Sequence, residues 1–104
     1  MSVASKKHTV VATVRDRKGR IIGRATNNYK KTHPLQAHFA QLAAENDRIY
    51  LHAEIAALLK CGTKLPHSIY IERKNQDGPA LAAPCRVCRL AIEHFGVKKI
   101  SYTV

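Results

Sequence analysis

Two short groups of metal-binding side chains constrain the fold of this chain most, because both have to reach a single ion. The first is His52-Ala53-Glu54 and the second is Pro84-Cys85-Arg86-Val87-Cys88. One histidine and two cysteines are typical zinc ligands, and three protein ligands leave the fourth tetrahedral position open for water. A structural zinc site has four protein ligands, so this pattern predicts a catalytic site built from two distant segments.

The two groups are predicted to begin neighbouring helices. Residues 52–60 are apolar on nearly every side, as in a buried helix, and Cys61-Gly62 ends that helix. Pro84 opens a second helix over about residues 85–95, and Gly96 ends it. At a helix start the exposed amides and the helix dipole stabilise thiolates, and cysteines three positions apart lie on one face. Two helices that start at the same sheet edge would therefore bring the three ligands together.

The remaining segments predict an α/β fold in one domain of 104 residues. A hairpin is indicated by β-branched residues on both sides of a turn at Arg17-Lys18-Gly19-Arg20, and a polar loop follows it up to Pro34. The order β-β-α-α-β-α-β implies a four-stranded mixed sheet with helices packed on it and with parallel later strands. Residues 1–7 are expected to form a flexible basic N-terminus. The other predicted elements are strands at 8–14, 21–26, 68–73 and 98–104, an amphipathic helix at 35–45 and a turn-rich loop at 74–79.

The net charge of +11 is concentrated in the first third of the chain. Residues 1–31 contain nine Lys or Arg and a single acid, Asp16. Such a cluster indicates binding of phosphate, either in a free nucleotide or in a polynucleotide; the alternative is a basic surface without a ligand. No apolar run approaches the roughly 18 residues of a membrane span, so no membrane partner is expected. The candidate phosphate-binding residues are Arg17, Lys18, Arg20, Arg24, Lys30 and Lys31.

Each motif alone has another interpretation. A Cys-x-x-Cys at a helix start is also typical of a thioredoxin-like redox pair, which the matching His52 and Glu54 disfavour. A structural zinc site would need a fourth ligand, which His33, His67 or His94 could supply. Glu54 argues against a purely structural metal, because an acid beside the metal but not bound to it serves proton transfer.

The order His-x-Glu followed by Pro-Cys-x-x-Cys resembles the cytidine deaminase-like superfamily, and the resemblance covers most of the chain from about His8 onward. It implies a three-layer α/β/α fold, a Zn2+ ion bound by His52, Cys85 and Cys88, and Glu54 as the catalytic proton shuttle. The family has an Asn after its second strand that contacts the sugar, and Asn27 stands in a similar segment. The candidate substrate-binding residues are Asn27, Asn28, Tyr29, Ala53 and Ala83.

Two further segments indicate a branch of this superfamily. Residues 88–100 resemble the deoxycytidylate deaminase and tRNA adenosine deaminase branch, and Lys31-Thr32-His33-Pro34 in so short a chain resembles small phage-encoded deaminases. Ala82 stands where polynucleotide cytidine deaminases of the mutator type have an aromatic residue, which disfavours that subgroup. The resemblance also implies a homo-oligomer.

The preferred functional hypothesis is zinc-dependent hydrolytic deamination of a cytosine nucleotide, such as deoxycytidylate, to the uracil form with release of ammonia. One alternative is deamination of a cytosine or adenine base in single-stranded DNA or RNA, which the net charge favours. Another is a non-catalytic, zinc-stabilised binding module. The expected partner is accordingly a nucleotide or a single-stranded nucleic acid. Residues 1–7 lack the apolar segment of a signal peptide and the three cysteines fit a reducing compartment, so a cytoplasmic location is expected.

Overall fold

The computed structural model describes residues 9–27, 31–45, 51–75, 78–80 and 82–103, and within them the predicted order of elements is confirmed. One short strand is added between the third predicted strand and the last helix. The strands are β1 (Thr9–Arg15), β2 (Ile21–Thr26), β3 (Ser68–Asn75), β4 (Gly78–Ala80) and β5 (Lys99–Tyr102). The helices are α1 (Pro34–Leu42), α2 (Ala53–Lys60) and α3 (Arg86–His94).

The strands form one mixed sheet in which β1 lies between β2 and β3 and is antiparallel to both. The other edge of β3 carries two strands in succession, because β5 pairs in parallel with residues 68–71 and β4 pairs antiparallel with residues 73–75. The predicted mixed sheet with parallel later strands is therefore confirmed, and β4 continues the position of β5. The predicted loop over 74–79 is wrong in part, because residues 74–75 belong to β3 and pair with residues 78–79 of β4.

The core lies on one face of the sheet. Helix α2 covers this face over β1 and β2, and α3 packs beside α2. The opposite face carries the exposed side chains of Arg24 and Tyr70, so the described helices cover one face, and the described residues show two layers of the expected three. The side chains buried at the centre of the covered face are Ala12, Val14, Ile69 and Ile71.

The side-chain burial that the sequence predicts is observed for α2 but not for α1. Residues 53–58 of α2 are all buried, as predicted. Helix α1 packs on α3, with the centres of the Phe39 and His94 rings 5.5 Å apart. It buries Gln36 and Ala40, whereas Leu42, whose helical spacing with Phe39 in the sequence predicts a place on the buried stripe, is 58% exposed. The position of α3 therefore decides which stripe of α1 is buried. None of the described helices combines the length and apolar character needed to cross a membrane.

Both α2 and α3 begin at the same end of the sheet, which we name the site end; β2 and β3 finish there. Helix α3 follows β4 at that end. After α3 the chain has reached the other end of the sheet, because the Lys98 N–H donates to the His67 carbonyl beside the start of β3 (2.8 Å). The C-terminal half of α2 lies over Gly23 near the start of β2, so its N-terminus points toward the end of β2. The opposite end, which we name the far end, holds the turn between β1 and β2.

Gly23 is a point of close approach between β2 and α2, since a Cβ atom there would collide with the Ala57 carbonyl oxygen and press on Cys61 Sγ. We expect Gly23→Ala to lower the free energy of unfolding by about 1–3 kcal/mol, the usual cost of overpacking a filled core. Urea unfolding followed by circular dichroism measures this change.

Arg24→Ala is the matched control, because Arg24 is the exposed neighbour of Gly23 on the same strand. It should change the free energy of unfolding by less than about 0.5 kcal/mol. Equal unfolding curves for wild type and Gly23→Ala would contradict the close approach of α2.

Candidate metal centre

His52 and Cys85 occupy equivalent positions in two helices. Each is the residue immediately before the first turn, with an extended backbone, and neither side chain makes the hydrogen bond that would cap its own helix. Since α2 and α3 begin at the site end, the two side chains face a common space between the helix starts. Cys88 follows in the first turn of α3 and is buried toward the same space.

The three predicted ligand atoms lie together in this space. His52 Nδ1 is 3.2 Å from Cys88 Sγ and 3.6 Å from Cys85 Sγ, and the three atoms all lie within 4.8 Å of one another. Tetrahedral zinc with ordinary bond lengths holds a nitrogen and a sulfur ligand about 3.6 Å apart. The spacing of these side chains therefore fits a zinc ion.

The two cysteines differ in protonation. The Cys88 thiol donates a hydrogen bond to Cys85 Sγ, which lowers the pKa of Cys85 to about 3. The same hydrogen bond, together with burial, raises the pKa of Cys88. A divalent cation that displaces the shared proton gains a second thiolate ligand, so the donor set suits zinc.

In the part of the chain that the structure describes, no other histidine, cysteine or acid belongs to this cluster. His33 has a different role, because its Nδ1 accepts the Leu35 N–H (3.0 Å) and caps α1. His67 lies at the far end, where its N–H donates to the Arg15 carbonyl, and His94 lies in the last turn of α3. Three protein ligands are typical of a zinc site that keeps a position open for reaction.

Glu54 lies beside the ligand cluster without belonging to it. It occupies the first turn of α2 and is 6% exposed. Burial raises the pKa of the Glu54 carboxyl. A carboxyl whose pKa is raised by burial is a better proton donor than an exposed carboxyl while it can still accept a proton, which is the property of a general acid–base group.

Gln36 is a residue of the site that the sequence did not single out. It is completely buried in α1, and its Oε1 accepts the backbone N–H of His52 at 3.2 Å. This contact ties α1 to the start of α2 and so holds the ligand His52 in place. The available signal was a polar side chain within the stripe that Phe39 and Ala43 mark on α1, since a buried amide needs a partner.

The structure places the predicted substrate-binding residues unevenly. Asn27 lies at the site end, where its Oδ1 accepts the Val10 N–H (3.1 Å) and its own N–H donates to the Val10 carbonyl. Ala53 is fully buried in the first turn of α2, and Ala83 is exposed just before Pro84. Asn28, Tyr29 and Lys30 lie outside the described residues.

The predicted phosphate-binding residues separate into three locations. Arg17, Lys18 and Arg20, which we name the basic turn, lie at the far end, and β2 rises about 16 Å between that end and the site end. Arg24 is exposed on the face of the sheet that the helices do not cover. Lys31 lies near the site, because its carbonyl accepts the N–H of Leu51, the residue before His52 (2.8 Å).

Three convergent ligand atoms and a separate buried acid are the features of a hydrolytic metal site of the deaminase type. The family model described as the cytidine and deoxycytidylate deaminase zinc-binding region matches residues 1–104, and the chain belongs to this family. A comparison with curated proteins finds no match. The predicted family and the predicted zinc cofactor are thus confirmed, and the chain is a zinc-dependent deaminase.

We expect Cys88→Ser to lose most of the zinc that the wild-type protein retains after extensive dialysis, because it removes the most buried ligand. Metal content per chain, measured by atomic emission, checks this. Cys61→Ser is the matched control, since the Cys61 thiol donates to the Ala57 carbonyl within α2 and is no part of the ligand cluster. Equal zinc content in wild type and Cys88→Ser would remove Cys88 from the ligand set.

Proposed function

We propose that this zinc-dependent deaminase acts on the cytosine base of a free nucleotide, such as deoxycytidylate, and releases the uracil form and ammonia. The observation that carries the proposal is the division of roles at the site: three ligand atoms converge, while the buried acid Glu54 stays outside their cluster. Deamination of a base needs an activated water and a separate group that moves protons.

His52, Cys85 and Cys88 would hold zinc, which when bound makes water at its open position acidic enough to ionise near neutral pH. Glu54 accepts one proton from the attacking water and passes it to the ring nitrogen N3. It then accepts the remaining proton of that oxygen, from the hydroxyl group on C4, and delivers it to the departing amino group. The water oxygen forms a bond to C4, the C4–N bond breaks, and ammonia leaves. The raised pKa of Glu54 suits this sequence, because the same group must accept and donate.

Asn27 and the start of α2 are proposed to orient the substrate. Asn27 directly follows β2 at the site end, and it remains our candidate for a sugar contact. Helix α2 begins without a side-chain cap, so its first-turn N–H groups, including that of Ala53, can bind the carbonyl oxygen of the base. Ala83 is exposed two positions before Cys85 and is proposed to border the same pocket.

One observation favours a second candidate, the deamination of a base in single-stranded nucleic acid. The basic turn lines an open groove with Lys64 and the exposed Leu65. At about 16 Å from the site end, this groove is out of reach for the phosphate of a single bound nucleotide. A strand several nucleotides long could contact both places, with counterion release at the groove adding to its affinity.

We expect Glu54→Ala to keep its fold and its zinc but to lose deamination by a factor of about 100 or more, because general acid–base catalysis typically contributes about 100- to 10,000-fold. Product mass is measured after incubating zinc-loaded protein with deoxycytidylate and a cytosine-containing single-stranded oligonucleotide together. Near-normal turnover in this variant would exclude Glu54 from the mechanism. Conversion of the oligonucleotide alone would favour the second candidate.

A charge reversal in the basic turn, Arg17→Glu with Lys18→Glu, separates the two candidates further. We expect deoxycytidylate turnover to change less than about twofold, since the turn lies far from the ligands. For a polynucleotide substrate the same change should weaken oligonucleotide binding at low salt about tenfold or more. The swap Arg17→Lys with Lys18→Arg is the control, because it exchanges the side chains and keeps both charges.

A further inference from the structure

Arg73 belongs to β3 near the site end, and its side chain is on the face of the sheet that the helices cover. Alternate residues of a strand share a face, so Arg73 lies on the same side as Ile69 and Ile71. Those two isoleucines are at most 1% exposed in the core. Arg73 therefore follows them toward the end of the sheet where α2 and α3 begin.

The backbone of Arg73 is hydrogen-bonded, whereas its side-chain Nε has no partner among the described residues. Its N–H donates to Thr103 Oγ1 (3.1 Å), and Val10 and Ala80 flank it in the neighbouring strands. The Arg73 Nε, by contrast, is buried without a hydrogen-bond partner, and no described acid forms an ion pair with this guanidinium. Buried donors nearly always have a partner, so a buried guanidinium nitrogen without one, on the strand end that lies at the site end, requires an explanation.

The position of Arg73 relates it to the proposed sugar contact. Val10 pairs with Arg73 on one side and exchanges two hydrogen bonds with Asn27 on the other. With neighbouring strands about 4.8 Å apart, the backbones of Asn27 and Arg73 lie roughly 10 Å from each other. Both residues thus occupy one row of the sheet at the site end, unlike the basic turn.

We propose that Arg73 binds a phosphate group of the substrate, so that the site selects a phosphorylated cytosine compound over the free nucleoside. This inference rests on the proposed deaminase function. A guanidinium presents several donors in a planar fork that matches a phosphate, and it forms charge-assisted hydrogen bonds. The phosphate belongs either to a nucleotide or to the backbone of a strand, and the chemistry of recognition is the same.

The test compares steady-state deamination of deoxycytidine, deoxycytidylate and a cytosine-containing single-stranded oligonucleotide by zinc-loaded wild type, Arg73→Gln and Arg73→Lys. We expect Arg73→Gln to raise KM for a phosphorylated substrate about 10- to 100-fold, as for a lost charge-assisted hydrogen bond. Turnover of deoxycytidine should change less than about twofold. Arg73→Lys, which keeps the charge and loses the fork, should lie between.

Arg15→Gln is the matched control, because it removes an exposed arginine at the far end of the sheet and should leave KM for deoxycytidylate unchanged. An effect on deoxycytidylate assigns the phosphate to a free nucleotide, and an effect on the oligonucleotide alone assigns it to a strand. Equal losses for deoxycytidine and the phosphorylated substrates would overturn the proposal, as would wild-type kinetics in Arg73→Gln. Should Arg73→Gln fail to fold, an Arg73→Lys variant with wild-type KM for every substrate would overturn it too.

Product binding distinguishes a failure of this inference from a failure of the proposed function. Calorimetry of zinc-loaded protein with deoxyuridylate and with deoxyuridine measures the phosphate contribution without turnover. Tighter binding of deoxyuridylate that is lost in Arg73→Gln supports the role of Arg73 even in a protein that turns over none of the cytosine substrates. Turnover of deoxycytidylate with equal binding of both products would retain the deaminase function and overturn the role of Arg73.

Discussion

One zinc ion can be bound by His52, Cys85 and Cys88 only where two helix starts are held within a few ångströms of each other. Much of the sheet architecture follows from this requirement. The parallel pairing of β3 with β5 forces α3 to run back along the sheet, so that its first turn lies at the site end. The close approach at Gly23 sets α2 beside β2 in the same direction, and the contact from Gln36 secures His52.

Electrostatics divide the molecule along the direction of the strands. At the far end the basic turn is exposed, and Arg20 is paired with Asp16 at 2.9 Å. At the site end two of the described charged residues are buried or half-buried: Glu54 beside the ligands, and Arg73, whose Nε has no partner among the described residues. Buried charges act strongly over short distances, whereas exposed charges act through the ionic atmosphere and weaken with salt. This difference underlies our two proposals, a phosphate contact at Arg73 and, under the second candidate function, a strand contact at the basic turn.

The success of the sequence interpretation varied with the physical basis of each pattern. Helix α2 was predicted well because apolar side chains on every side have no stable place except the interior. The burial of α1 was predicted poorly, since a short helix that packs on one neighbour buries whichever stripe faces that neighbour, including Gln36 and excluding Leu42. Strand β4 was missed because three residues carry too little periodicity to be distinguished from a loop.

The sequence by itself determined the chemistry of the site: which side chains can bind zinc, which acid can move protons, and the order of elements that brings them together. Those properties belong to individual side chains and to local spacing, and both can be read along the chain. The tertiary structure alone decided distances between residues remote in sequence. It separated the basic turn from the ligands, left the described cluster with three ligands, and buried Arg73 Nε without a partner. Such distances depend on how strands pair and helices pack, which no local pattern encodes.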